Sequence, residues 1–143
     1  MMAERPKSNR ALRPKSNRAL RPKSNRALRR RAWFHGRAAE TVARVFLRLA
    51  GWRIVARNWR SPAGEIDIIA RRRHVLAFFE VKTRDRQEDA GAAIGVRQQS
   101  RIRQAASLYL ARHPEWECLD KRFDAILIVP WRWPVHLRDA WRE

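Results

Sequence analysis

The segment Gly64–Arg84, GEIDIIARRRHVLAFFEVKTR, constrains the fold more than any other part of the chain. Two runs with strand-like alternation, Ile66–Arg71 and Val75–Lys82, are separated by a short polar stretch. Charged residues interrupt both: Glu65 and Asp67 bound or break the first, Glu80 and Lys82 the second. Strands favour Val, Ile and Phe and disfavour Asp, Glu and Lys, so these four residues need a physical reason to be there. An antiparallel hairpin with Arg73 and His74 at its tip sets Asp67 opposite Glu80 and Glu65 opposite Lys82. Strand alternation then collects all four on one face and Ile66, Ile68, Phe79 and Val81 on the other. Opposed residues have Cβ atoms roughly 4.5–5.5 Å apart, where like charges destabilise. Asp67 against Glu80 is therefore a repulsive pair that calls for a cation. Two-residue hairpin turns want Asn-Gly or Gly-X, so Arg73–His74 is a poor one, and a four-residue loop over Arg72–Val75 is expected in the same register.

Around this hairpin the remaining elements follow from periodicity. Val42, Val45, Phe46 and Leu49 recur at helical spacing and predict an amphipathic helix over Ala38–Ala50, closed by Gly51. Glu40 falls on the opposite stripe with Arg44 and Arg48, where it also suits the first turn of the helix as a structural charge. Trp52–Arg60 reads as a strand and Ser61–Gly64 as a turn. Asp85–Gly95 reads as a loop beside the charged end of the hairpin. A second helix is expected over Val96–His113, burying Ile102, Ala105, Ala106 and Tyr109 and ending at Pro114. Arg122–Val129 contains the continuous run AILIV, as in a strand covered on both faces. Val135–Leu137 fits an edge strand. The helix between the hairpin and Arg122–Val129 implies a parallel crossover, giving a mixed sheet flanked by helices.

The net charge of +19, from 33 Lys and Arg against 14 Asp and Glu, bounds the class of partner. Residues 1–31 hold +11 of it, and residues 32–143 keep +8. A domain this basic fits a polyanion such as nucleic acid, although an Arg-favouring coding sequence gives the same bias. Residues 5–28 are three identical copies of RPKSNRAL, too short a period for a solenoid and too charged to fold alone. They read as a disordered basic tail, whether a phosphate-binding arm or a tandem expansion. Arg97, Arg101 and Arg103, with Gln98 and Gln104, form one side of the second helix, either a phosphate-facing surface or a solvated one. Arg84 closes the hairpin and joins them as a candidate nucleic-acid contact. The seven Trp serve core packing, a homodimer surface or base stacking. No apolar run approaches the roughly 20 residues of a membrane span, and the single Cys118 and lack of a secretory signal fit the cytoplasm.

An acid on one strand followed by Glu-x-Lys on the next suits phosphodiester cleavage assisted by a divalent metal. Mg²⁺ takes oxygen ligands, commonly one or two carboxylates with water and phosphate oxygens. Asp67 and Glu80 supply the carboxylates, and the Val81 carbonyl offers a third ligand. Lys82 is placed to orient the attacking water or to meet transition-state charge. The four His are scattered, and HExxH, CxxC, P-loop and GxGxxG patterns do not occur.

GEID-x-I-A followed by FFEVKTR resembles the YraN family of small bacterial proteins, within the restriction-endonuclease-like PD-(D/E)xK superfamily that includes Holliday-junction resolvases. The likeness extends over residues 32–143, through Gly36–Glu40, ARNWR at Ala56–Arg60 and RFDAI at Arg122–Ile126. It implies an α/β fold with a restriction-endonuclease-like αβββαβ core. It also implies metal-binding acids at Asp67 and Glu80, with Val81 beside them, a catalytic lysine at Lys82 and an accessory glutamate at Glu40. Ile66 precedes the first acid where the superfamily pattern has Pro, and Gln98 stands where a basic residue is expected. The expected activity is Mg²⁺- or Mn²⁺-dependent hydrolysis of DNA, including branched or single-stranded intermediates of repair and recombination. A non-catalytic nucleic-acid-binding module of the same fold, or a Trp-mediated interaction protein, are the alternatives. Glu65 is expected to support Lys82.

Overall fold

The structure is a computed structural model that describes residues 25–84 and 95–141, with side chains from Gly36 onward. Helix α1 (Asn25–Leu49) leads into strands β1 (Arg53–Ser61), β2 (Gly64–Arg72) and β3 (Val75–Thr83). Helix α2 (Val96–Arg112) and a 3-10 turn at Pro114–Trp116 then precede β4 (Asp120–Ile128) and β5 (Val135–Leu137). The five strands form one mixed sheet in chain order, with β3 and β4 parallel and the other pairs antiparallel. Residues 1–24, most of the expected tail, and the loop at 85–94 lie outside the described residues.

Each sheet face carries its own core. On the α2 side Ile66, Ile69, Leu76 and Phe78 pack with Ile102, Ala105, Ala106 and Tyr109, the four helix residues expected from periodicity. On the α1 side Ile68, Ala70, Ala77, Phe79 and Ile126 pack with Ala43, Leu47 and Trp52. Covering both faces explains the continuous apolar run in β4, whose Ala125, Ile126 and Leu127 are fully buried.

Helix α1 departs from expectation in two ways. It begins at Asn25, within residues 1–31 and well before Ala38. Its buried stripe is Ala39, Ala43 and Leu47, whereas Val42, Val45 and Leu49 are 44%, 51% and 77% exposed. Bulk on the sheet accounts for this: Trp52 and Phe79 meet edge-on at 5.2 Å, and alanines on α1 let the helix approach that layer. Gly51 ends the helix as expected. With φ +83° it lets its own N–H reach the Arg48 carbonyl while the Trp52 N–H reaches Leu47, a Schellman closure.

The hairpin register is the expected one from Ile68↔Phe79 to Arg72↔Val75. The four-residue loop is not formed. Arg72 pairs directly with Val75, so Arg73 and His74 make the two-residue turn, with Arg73 at φ +56° and its carbonyl accepting from Arg71 Nε. Such a conformation costs a non-glycine residue about 1–2 kcal/mol, which the paired strands on either side sustain.

Candidate active site

Strands β2 and β3 stay paired up to Ile68↔Phe79 and then part. At that point alternation in β2 also breaks: Ile68 packs on the α1 side, while Ile66, two residues away, packs on the α2 side. In β1 and β2 Asn58 and Asp67 drop out of the ladder, while the register runs unchanged from Arg57↔Ile68 to Trp59↔Ile66 and shifts only at Ile54/Ala56; Asn58 has φ +47°. The opening frees Asp67 from ladder packing. Its Oδ2 accepts a 2.7 Å hydrogen bond from the Val81 N–H on β3. A strand residue directs its N–H and C=O to the same neighbour, so the Val81 carbonyl also faces β2.

Glu80 and Lys82 occupy alternate positions of β3 and share the α2 face. Glu80 is only 5% exposed, and its Oε1 lies 2.6 Å from Lys82 Nζ and 2.5 Å from Gln98 Nε2 on the first turn of α2. Asp67, Glu80, Gln98, Arg97 and Arg101 line one cavity of about 520 Å³, open beside Gly64. A Cβ at Gly64 would come within 3.2 Å of Arg101 Cβ and the Arg101 carbonyl, so glycine permits α2 to lie against the site.

Burial and the Glu80 charge push the Asp67 carboxyl up to about 7; the Glu40 charge adds to the rise, while the Val81 N–H and Lys82 oppose it. Glu40 is held by Asn58 Nδ2 at 2.8 Å. Glu40 is thus turned towards Asn58, outside the helix's buried stripe, and lines with it a cavity separate from that of Asp67 and Glu80.

The expected residues do not all converge. Glu65 does not support Lys82: with the alternation lost at Asp67, it pairs with Arg60 at 3.2 Å, and Glu80 takes the lysine instead. Arg97 and Arg101 flank Glu80, whereas Arg103 lines a separate cavity with Phe78 and Trp141. Arg84 lies past the end of β3, its N–H bonded to the Ile128 carbonyl. Gln98 and Asn58 were missed as site residues, although Gln98 occupies the place where a cation was expected.

Among the described residues no group of three His, Cys, Asp or Glu side chains stands ready to hold a metal ion. The available donors are two carboxylates and a backbone carbonyl, all hard oxygens. They fit Mg²⁺ or Mn²⁺ completed by water and substrate oxygens better than a metal that needs a full protein cage. Burial and the Glu80 charge leave Asp67 half protonated near neutral pH, and among the described residues Lys82 is the cation ion-paired with Glu80.

Comparison with known proteins gives the chain a family. The model of the uncharacterised protein family UPF0102 matches residues 39–128, which include Glu40, Asp67, Glu80, Lys82 and Gln98. A UPF0102 protein of Parvibaculum lavamentivorans is 52% identical over 107 residues, 75% of this chain and 80% of that one. One from Nitrobacter winogradskyi is 52% identical over 112 residues, covering 78% and 95% of the two chains. One from Mesorhizobium japonicum is 43% identical over 139 residues, covering 97% and 96%. The chain therefore belongs to UPF0102, the YraN family expected from its GEID and FFEVKTR segments.

Proposed function

We propose that this protein is a metal-dependent endonuclease acting on DNA phosphodiesters. The observation that carries the reading is the opened strand pair, where Asp67 and Glu80 face one cavity with Lys82 on Glu80. Structural ion pairs seldom bury a second acid beside the first. Here the Asp67 carboxyl is driven to about 7 by burial and by Glu80, the condition in which a cation is welcome. Asp67, Glu80 and the Val81 carbonyl would hold Mg²⁺ or Mn²⁺, which when bound supplies charge neutralisation and an acidified water. Lys82 would orient the attacking water or meet charge developing on the phosphate. Gln98 fixes Glu80, and Arg97 and Arg101 at the cavity mouth would draw the backbone in.

Branched or single-stranded DNA of repair and recombination is the favoured substrate. Trp131 and Trp133, 103% and 80% exposed, follow β4 at the end of the sheet where Thr83 meets Ile128, the same end as Lys82. Exposed indoles there suit stacking on unpaired bases. The test is a panel of duplex, flapped, branched and single-stranded DNAs with and without Mn²⁺. Wild type should cut at least one, and Glu80→Gln and Lys82→Ala should each lose at least about 10²-fold in rate while still binding. Absence of cutting throughout the panel would overturn the reading.

A non-catalytic nucleic-acid-binding module is the second reading, favoured by the saturation of Glu80 Oε1 by Lys82 and Gln98. It requires DNA affinity that is indifferent to metal and to Glu80→Gln.

A further inference from the structure

At the other end of β3, on the α1 face, the hairpin tip and the start of β4 line a further cavity of about 260 Å³. Arg72, Arg73, Arg122 and Arg138 line it together with Trp52. Five residues of strand separate Val75 at this end from Glu80, roughly 17 Å. The site is therefore distinct from the one described above, in face as well as in distance.

The four arginines are not equivalent. Arg122 is committed: its Nε and Nη2 each donate at 2.8 Å to Asp124, which is fully buried, and its guanidinium stacks 5.6 Å over the Trp52 ring. His136 Nε2 at 2.7 Å and the Asp139 N–H at 2.9 Å complete the Asp124 shell. This buried network holds the back of the cavity rigid. Arg72, Arg73 and Arg138 have no acid paired with them among the described residues; the nearby Asp120 is engaged by His74 at 3.6 Å. Trp52, 5% exposed, keeps its indole N–H buried without a hydrogen-bond partner. Three guanidinium groups with no acid paired to them among the described residues, around a concave wall backed by Trp52, describe a place for a small oxyanion. Guanidinium forks match phosphate geometry in a way that an equal number of lysines would not.

We propose that this hairpin-tip cavity is a second phosphate-binding site, which grips a phosphate of the nucleic-acid backbone away from the bond beside Glu80. The assignment of the phosphate to DNA rests on the proposed function; the phosphate site itself does not. A segment held here and another held at Asp67 and Glu80 would lie on opposite faces, so a bound DNA must present two separated stretches of backbone.

The test compares wild type with Arg72→Gln/Arg138→Gln and with Arg72→Lys/Arg138→Lys, all as full chains checked by circular dichroism. Binding of labelled duplex and branched DNA is followed against salt. Each phosphate contact removed lowers the slope of log K against log [salt] by about 1, so the glutamine pair should flatten it by about 2 and the lysine pair should hardly change it. A second arm measures the rise in thermal midpoint with millimolar inorganic phosphate, which the glutamine pair should abolish. Loss of the phosphate response with an unchanged DNA slope would keep the site and assign it to free phosphate. A folded glutamine pair that changes neither overturns the proposal. Glu80→Gln serves as reference: if wild type cuts nothing while the slope still falls, the nuclease reading fails and this site stands.

Discussion

Two aspartates on the same sheet show opposite electrostatics. Asp67 on β2 and Asp124 on β4 both interrupt apolar strands, and burial raises the carboxyl of each. At Asp67 the next influence is another acid, Glu80, and the result is a group pushed up to about 7. At Asp124 the opposition wins: hydrogen bonds from His136, Arg122 and the Asp139 N–H outweigh burial and hold the carboxyl below its ordinary value. A buried acid surrounded by donors is a structural node. A buried acid beside another acid is a site waiting for something positive.

The largest expected effect falls on the node. Asp124→Asn removes the charge that Arg122 and His136 converge on and leaves a guanidinium partly buried without its counterion. Stability should fall by about 3–5 kcal/mol, read from urea unfolding at neutral pH. Asp67→Asn should do the reverse in metal-free buffer. A carboxyl whose folded pKa is raised contributes stability that is present below its unfolded value, near pH 4, and lost as pH rises to about 7. Wild type should therefore lose up to about 1.4 kcal/mol per pH unit across that window from this group, and Asp67→Asn should flatten the decline. Asp124 has the opposite sign: its stabilisation is complete above the ordinary Asp range and disappears as pH falls through its depressed value. Equal behaviour of the two variants would dissolve the contrast.

The same asymmetry predicts how metal affinity depends on pH. A divalent cation held by Asp67 and Glu80 must displace the proton that Asp67 retains below about 7. Mn²⁺ affinity should rise towards tenfold per pH unit below that point and level off above it. Calorimetry in buffers of different ionisation enthalpy would count the released proton. Affinity independent of pH would place the cation elsewhere.

Much of this was legible in the residues. The hairpin register, the buried face of α2 and the β4 core follow from alternation and helical spacing, because in each case one face is plainly more apolar than the other. Helix α1 was legible as a helix closed by Gly51, but of its expected stripe only Phe46 packs on the core. Its buried stripe is Ala39, Ala43 and Leu47, with the alanines small where Trp52 and Phe79 fill the sheet side, so the bulkier Val42, Val45 and Leu49 mark the wrong stripe. Asp124 was within reach: an acid inside the most apolar strand posed the same question as Asp67. Its answer, His136, lies twelve residues away across a turn. Gln98 was placed on the candidate phosphate-facing side of α2 and noted as a departure from a basic residue, while its amide in fact fixes Glu80.

Glu65 carries the smallest prediction and the sharpest lesson about register. Strict alternation would set it against Lys82, and removing it would then disturb that lysine. The loss of alternation at Asp67 instead leaves it with its direct β1 partner Arg60, the two side chains being 41% and 78% exposed. An ion pair so open to water is worth less than about 1 kcal/mol. Glu65→Gln should therefore shift the unfolding midpoint slightly and leave DNA cleavage within about twofold, because Lys82 keeps its contact with the buried Glu80. A loss comparable to that of Lys82→Ala would mean that β2 regains regular alternation when the proposed cleavage occurs, bringing Glu65 back opposite the lysine and closing the gap in which Asp67 is open to a cation.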